Sequence, residues 1–235
     1  VNGVVEGATL VSGGNIVLKR GMQGMDRGML QAEGNITAKF LENCKVRCKG
    51  MLKADAILHS DVECQENVDI LGKKGLINGG SLSTYADVHA TTLGSTMGAS
   101  TKIKIISDKE LIIRANEIKE EVENKEETLR KIDEVVNRVK GQLASNQEVL
   151  PEQMNYLKQA TVNKPLLVKQ IRELREEREK LLVRIEKNKH SCIRVEGAVY
   201  SGIDITVKDV SKIQHEQVSH CRFVRDGADV RIVGL

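Results

Sequence analysis

Aromatic side chains are what this sequence lacks most: Phe, Tyr and Trp together make up 2% of it, and Trp does not occur. Globular enzymes usually fill their cores and pockets with aromatic rings. A core built only from Val, Ile, Leu and Ala fits a narrow, regularly stacked or zipped structure better. The shortage of rings therefore argues against an ordinary globular enzyme.

Long apolar runs, a signal peptide and C-x-x-C pairs are also missing. The five cysteines are an odd number without metal or disulfide spacing, which predicts a reduced, cytoplasmic protein with no integral membrane segment. The net charge is only +3 with 29% charged residues, so a one-sided basic surface for nucleic acid is not expected. Because the chain starts at Val1 rather than Met, we expect it to be part of a longer protein.

A repeat fills the first part of the chain. Nine-residue segments with apolar and small residues at fixed positions follow one another in steps of 20, 16, 16 and 20 residues, at 10–18, 30–38, 46–54, 62–70 and 82–90. The basic period is therefore 16, with four-residue insertions near "GMQG" and "KKGL". A fixed period with side chains alternating inward and outward predicts a β-solenoid of stacked coils.

Equivalent positions in successive coils should stack into columns about 4.8 Å apart. The first column is apolar and the second small: Leu10, Leu30, Val46, Val62 and Leu82; Ser12, Ala32, Cys48, Cys64 and Thr84. Stacked Cys48 and Cys64 are interpreted as inert buried thiols rather than a disulfide. Another apolar position recurs at Leu41, Ile57 and Leu93.

The glycine-rich segment 75–98 is either a ligand-binding loop or a coil with many turns. Its alignment with the other repeats favours the coil, with His89 pointing to solvent. It would be the last full coil before the helices.

A helical segment follows, in which glycine nearly disappears. Residues at alternating steps of four and three, most of them apolar, run from Leu111 to Leu143 and again from Leu167 to Asn188. This spacing predicts a long antiparallel coiled coil. Pro165 fits the first turn of the second helix, and a short helix should start at Pro151 within the reversal.

The predicted domains are a β-solenoid at 1–107, a coiled-coil hairpin at 108–190 with its tip at 146–164, and return strands at 191–235 that complete the solenoid. Both ends of an antiparallel hairpin lie at the same place. The hairpin is therefore expected to be inserted without breaking the solenoid.

Several of these segments resemble the flagellar assembly protein A family of bacterial β-solenoid proteins. They are "GNITAKFLENCKV", "AILHSDVECQENVDILGKKGLINGG", "TTLGSTMG" and, after the helices, "VEGAVYSGIDITV". The resemblance implies a right-handed parallel β-helix with a protruding coiled coil, and a role in flagellar assembly or cell-surface organisation without catalytic activity. Two departures are Ser201, where the family usually has proline, and the absence of the family's amino-terminal domain.

Catalytic and metal-binding patterns fail on spacing. In "HEQVSH", the two histidines are five residues apart, whereas a zinc-binding H-E-x-x-H helix needs four. The glycine-rich stretches lack the strand–loop–helix context and the Lys-Ser/Thr of a phosphate-binding loop. The 16-residue period also differs from the six-residue steps of acyltransferase solenoids. We therefore expect no catalytic residues, no metal and no cofactor.

Apolar residues at the hairpin tip are the candidate partner-binding residues: Leu150, Met154, Tyr156, Leu157 and Val162. They either pack on one another or form a surface for a protein partner or a second copy of the chain. The predicted function is a non-catalytic scaffold for protein–protein interaction.

The alternative is a polysaccharide-binding or polysaccharide-active β-helix. It would need acidic residues lining one groove, and the candidates are Asp55, Asp61, Glu63, Asp69 and Asp87. A nucleic-acid-associated arm is disfavoured because Glu balances Lys and Arg along the helices.

Overall fold

A computed structural model describes residues 1–145 and 147–235 of the protein. They form two units: Val1–Asp108 with Lys187–Leu235, and Lys109–Glu186. The first unit is a parallel β-solenoid of about five turns, and the second consists of two helices inserted into its sequence. Over the described residues, neither helix contains an apolar stretch of the length that a membrane crossing needs.

Each coil of the solenoid has three faces. The strands before the helices are β1 (Val4–Glu6), β2 (Thr9–Ser12), β3 (Ile16–Val17), β4 (Gly21–Ala32), β5 (Ile36–Thr37), β6 (Phe40–Cys48), β7 (Leu52–Lys53), β8 (Ala56–Cys64), β9 (Val68–Ile70), β10 (Leu76–Thr84), β11 (Val88–Ala90), β12 (Thr92–Leu93) and β13 (Thr101–Ile106). The long strands β4, β6, β8 and β10 bend from the first face to the second. The short strands β3, β5, β7, β9 and β11 form the third face.

Both predicted columns on the second face are confirmed by the strand register. Leu10 pairs with Leu30 and Ser12 with Ala32, and the pairing continues through every predicted member to Leu82 and Thr84. The apolar column extends beyond the prediction to Ile103 and Ile205. On the first face the register adds Met22 and Ile77 to the recurring position of Leu41, Ile57 and Leu93, and all five are fully buried.

The longer coils place their extra residues at corners. The register of β4 against β6 shifts between Gln23 and Gly28, where Met25 and Asp26 have positive φ. The insertion therefore lies a few residues after the predicted "GMQG", because a corner can bulge outward whereas a strand must keep its ladder of hydrogen bonds. The second insertion lies in the turn between β9 and β10, as the "KKGL" segment predicted.

Five strands follow the helices: β14 (Ile193–Val199), β15 (Ile203–Lys208), β16 (Val210–Gln214), β17 (Val218–Asp226) and β18 (Asp229–Gly234). β14 and β15 continue the parallel stack on β11 and β13. β16 and β17 then pair antiparallel with β15 and β14, and β17 and β18 form a last hairpin. The fully buried ring of Phe223 lies in this hairpin, in register with Ile193, and belongs to the same core as the coils.

The chain begins another coil with β13 before it leaves the solenoid, so the segment 75–98 is not directly followed by the helices. α1 spans Lys109–Ala144 and α2 spans Pro151–Asn188. The prediction of a separate short helix at Pro151 was wrong, because α2 runs through Pro165. Proline removes one backbone N–H at this position, and both Pro165 and Thr161 are exposed, so water can solvate the freed carbonyl of Thr161.

Candidate functional site

The helices are inserted at one corner of the solenoid. In the coils before them, three residues join the second face to the third, as Tyr85, Ala86 and Asp87 do between Thr84 and Val88. Ile105 lies in register with Thr84, and Ile193 lies in register with Val88. The helices therefore take the place of a three-residue corner.

Where the chain returns to the solenoid after α2, it makes the same corner hydrogen bond that the earlier coils make. At earlier corners, the side-chain oxygen of Asn15 accepts from the backbone N–H of Asn35 at 2.7 Å, and that of Asn35 accepts from Met51 at 2.8 Å. At the re-entry point, Asp87 Oδ1 accepts from the backbone N–H of Cys192 at 2.8 Å. The insertion consequently leaves the ladder at this corner continuous.

A buried polar contact joins the two ends of the insertion within the solenoid unit. Asn188 Nδ2 donates to Asp108 Oδ1 at 3.3 Å, and Lys208 Nζ lies 3.9 Å from Asp108 Oδ2. Asp108 and Asn188 are both buried, where polar groups without partners would be costly. No pattern in the sequence pairs Asp108 with Asn188, although Asp108 stands directly before α1, where aspartate is a preferred residue.

Apolar packing joins the two helices. Ile118 and Val122 of α1 form a buried cluster with Ile171 of α2, and partly buried residues pack against it: Leu129, Leu167, Leu174 and Leu181. All seven residues belong to the predicted apolar spacing. The spacing therefore identified the side of each helix that is covered.

Charged pairs cross between the helices in opposite chain directions. Arg114 lies 3.1 Å from Glu177, Glu126 contacts Arg175, and Asp133 lies 2.5 Å from Lys164. As the residue number increases on α1, that of its partner on α2 decreases. The hydrogen bonds and charge of Glu177 raise the pKa of Arg114 above its usual value.

Two polar residues interrupt the apolar spacing and both find partners. Lys125 Nζ donates to Gln170 Oε1 at 3.2 Å, and Arg178 Nε donates to the backbone carbonyl of Ala115 at 3.3 Å. Such contacts are satisfied only in one alignment of the helices, so they favour a single register.

The tip residues fall into two groups. Leu150, directly before α2, is 63% exposed, and Tyr156 and Val162 on α2 are 39% and 74% exposed. Met154 and Leu157 are half-buried and lie three residues apart, on one side of the helix. Asn146, where the predicted tip segment starts, lies outside the described residues.

The cysteines are free thiols. Hydrogen bonding with Cys48, together with burial, raises the pKa of the Cys64 thiol above its usual value. Burial and the neighbouring Asp87 carboxylate raise the pKa of Cys192. These two environments do not create the stabilised thiolate of a nucleophilic cysteine. The hydrogen bond with Cys64 lowers the pKa of the buried Cys48 thiol.

Metal ligands are not assembled anywhere in the described chain: no three His, Cys, Asp or Glu side chains there are placed to share an ion. His215 and His220 of "HEQVSH" are exposed, with His220 on strand β17 rather than on a helix. His89 is partly exposed and its Nδ1 lies 3.3 Å from Asp69 Oδ1.

The family comparison covers almost the whole chain. The family model described as the Flagellar Assembly Protein A beta solenoid domain matches residues 1–230. No curated protein and no solved structure matches the chain.

Proposed function

Because this chain belongs to the Flagellar Assembly Protein A β-solenoid family, we propose that it is a non-catalytic scaffold for protein–protein interaction in bacterial flagellar assembly or pole organisation. It would work in the cytoplasm, with a right-handed solenoid as its rigid part. The inserted helices would form an antiparallel coiled-coil arm that binds a protein partner or a second copy of the chain.

The insertion corner is the observation that carries this proposal. The hydrogen bond of Val88 N to the carbonyl of Cys192, at 3.1 Å, repeats the one that Val68 N makes to Asp87 one coil earlier. A long helix pair can therefore be inserted in the sequence at this corner without disturbing the hydrogen bonding of the solenoid. A rigid base with an attached helical arm suits assembly, in which one part anchors the molecule and another part binds.

The arm's binding residues are proposed to be Leu150, Tyr156 and Val162, since these apolar side chains of the tip are the exposed ones. Exposed apolar groups without a structural role are typical of interaction surfaces. Met154 and Leu157 are half-buried, and we assign them a supporting role in the packing of the tip.

A triple substitution tests the tip. Leu150→Ser, Tyr156→Ser and Val162→Ser together should reduce self-association or partner capture at least about tenfold, because apolar anchors each contribute on the order of 1 kcal/mol or more. Light scattering measures the mass, and pull-down measures capture. Point substitutions are preferable to deleting the tip, since the deletion would remove Lys164 and its contact with Asp133.

The matched control replaces two exposed apolar residues at the other end of α1, Ile112→Ser and Ile113→Ser. This variant should keep full association and capture. Unchanged capture by the triple variant, with normal helical circular dichroism, would count against the tip as the interaction surface.

The polysaccharide alternative finds less support. Asp61 Oδ1 accepts from Ser81 Oγ at 2.6 Å, Glu63 pairs with Arg47 at 3.2 Å, and Asp69 lies between Lys53 and His89. These carboxylates have partners in neighbouring coils, whereas hydrolysis of a sugar needs two of them directed at the substrate.

A further inference from the structure

A row of outward side chains crosses the third face of the solenoid. The register places Lys53 beside Asp69, Asp69 beside His89, and His89 beside Arg194 on the returning strand β14. Charges of opposite sign alternate at the start of this row, where Lys53 Nζ lies 4.0 Å from Asp69. The alternation ends at β14.

Two arginines then stand directly opposite each other. Arg194 of β14 pairs with Arg222 of β17 in the antiparallel register. Like charges at directly opposed positions destabilise a sheet. Arg194 has a carboxylate, Glu196, at 4.0 Å on its own strand, and both side chains are about half exposed, so this contact compensates little. Within the described chain, Arg222 makes no ion pair.

Two cavities adjoin this arginine pair, and Arg222 lines both. One cavity of about 250 Å³ lies towards His89 and Arg194. The other, of about 360 Å³, is lined by Lys189, His190, Ser191, Cys192, Lys208, Arg222, Val224 and Arg225. Among the residues that the structure describes, no Asp or Glu side chain lines either cavity.

Two of the positively charged side chains that line the larger cavity have a carboxylate nearby. Lys208 Nζ lies 3.9 Å from Asp108, and Arg225 lies 3.1 Å from Asp209. These contacts hold the two side chains in position, while Arg222 supplies a positive charge with no counterpart. The cavities are thus lined by Lys208 and Arg225, which carboxylates hold in place, and by Arg222, whose charge no carboxylate neutralises. Such a surplus of positive charge favours the binding of an anion.

We propose that the cavities on either side of Arg222 bind a small phosphorylated molecule, with a phosphate group held between Arg194 and Arg222. The planar guanidinium group donates two parallel hydrogen bonds to a phosphate and carries a permanent charge. The larger cavity is within the size range of small-molecule sites, about 300–1,000 Å³. A second phosphate or another anionic group of the ligand would lie there, near Lys189 and Arg225.

The test is isothermal titration of the full chain with inorganic pyrophosphate at constant ionic strength, compared with inorganic phosphate. Wild-type protein should bind pyrophosphate saturably at one site and more tightly than phosphate. Arg222→Gln should weaken pyrophosphate binding at least about tenfold, since a charged hydrogen bond and a Coulombic attraction are both lost. Arg231→Gln is the matched control, because Arg231 lies on the same hairpin and pairs with Asp226.

Thermal unfolding without ligand separates a binding role from a structural one. Arg222→Gln should keep or raise the melting temperature at low salt, because it removes the repulsion from Arg194. The proposal is overturned if wild-type protein binds no pyrophosphate saturably, if Arg231→Gln weakens binding as much, or if a poly-glutamate peptide binds as tightly as pyrophosphate does. None of these outcomes depends on the tip or on partner capture.

Discussion

In the column of small residues on the second face, one side chain can both fit a narrow space and donate a hydrogen bond. Cys64 Sγ donates to the backbone carbonyl of Gly50 at 3.1 Å, and in the next coil Thr84 Oγ1 donates to the carbonyl of Glu66 at 2.6 Å. Cys64 and Thr84 therefore combine small size with a donor for a corner carbonyl, whereas Ala32 in the same column is small but donates no side-chain hydrogen bond. Thiol and hydroxyl groups both combine these two properties, so Cys and Thr can share the column.

Substitutions at Cys64 should separate size from hydrogen bonding. Cys64→Ser should change the free energy of unfolding by less than about 1.5 kcal/mol, since one neutral hydrogen bond is at stake. Cys64→Leu should destabilise the protein by about 1–3 kcal/mol, because extra methyl groups overpack the buried column. Urea unfolding measures both. Equal stability of the leucine variant and the wild type would contradict the size limit.

The reactivity of Cys192 should depend on pH in a defined direction. Its raised pKa means that less thiolate is present at pH 8 than for an ordinary cysteine. Its reaction with a thiol reagent should therefore be slower than that of free cysteine at pH 8, and should keep accelerating above pH 9. Because the other four cysteines are buried, Cys192→Ser should remove the first reactive phase of the native protein. Faster labelling than free cysteine at pH 7 would contradict the raised pKa.

At the scale of the element, the insertion corner should be replaceable by a short one. Residues 106–192 would be exchanged for Glu-Gly-Asn, the corner that Glu33, Gly34 and Asn35 form between Ala32 and Ile36. The shortened chain should fold and unfold cooperatively, with helical circular dichroism lost, because the register of β14 on β11 is unchanged. A shorter loop also costs less closure entropy.

The matched control joins Ile105 directly to Ile193, which leaves no residue to span the corner. It should be insoluble or unfold at a markedly lower temperature. If the three-residue version also failed to fold, the helices would be required for the solenoid, and the corner would not be independent of them.

At the scale of the whole molecule, the pairing of strands predicts how a cut chain behaves. The exposed residues between α1 and α2, such as Leu150, are the expected site of limited proteolysis, because loop tips are cut most readily. The two fragments should stay together on gel filtration and separate only in denaturant, because β14 and β15 of one fragment pair with β11 and β13 of the other. Dissociation of the cut protein in native buffer would contradict this pairing.

Much of the fold could be predicted because both of its patterns are periodic. The repeat of small and apolar residues identified the columns through Leu82 and Thr84, and the steps of four and three identified the covered side of each helix. The misses occur where the signal is not periodic. Whether a helix continues through Pro165 depends on whether water can solvate the carbonyl that the proline leaves without a partner. Where the insertion after Gln23 lies depends on where the chain can bulge outward at a corner.

The candidate sites depended more on tertiary structure. The sequence alone determined that the chain stacks into coils and carries two helices, since periodicity specifies which side chains are buried. Tertiary structure decided that Asp108 meets Asn188, that Arg194 meets Arg222, and that Val162 is exposed while Leu157 is half-buried. These residues are distant in sequence or differ only in helix face, and pairing between distant segments is set by register rather than by local pattern.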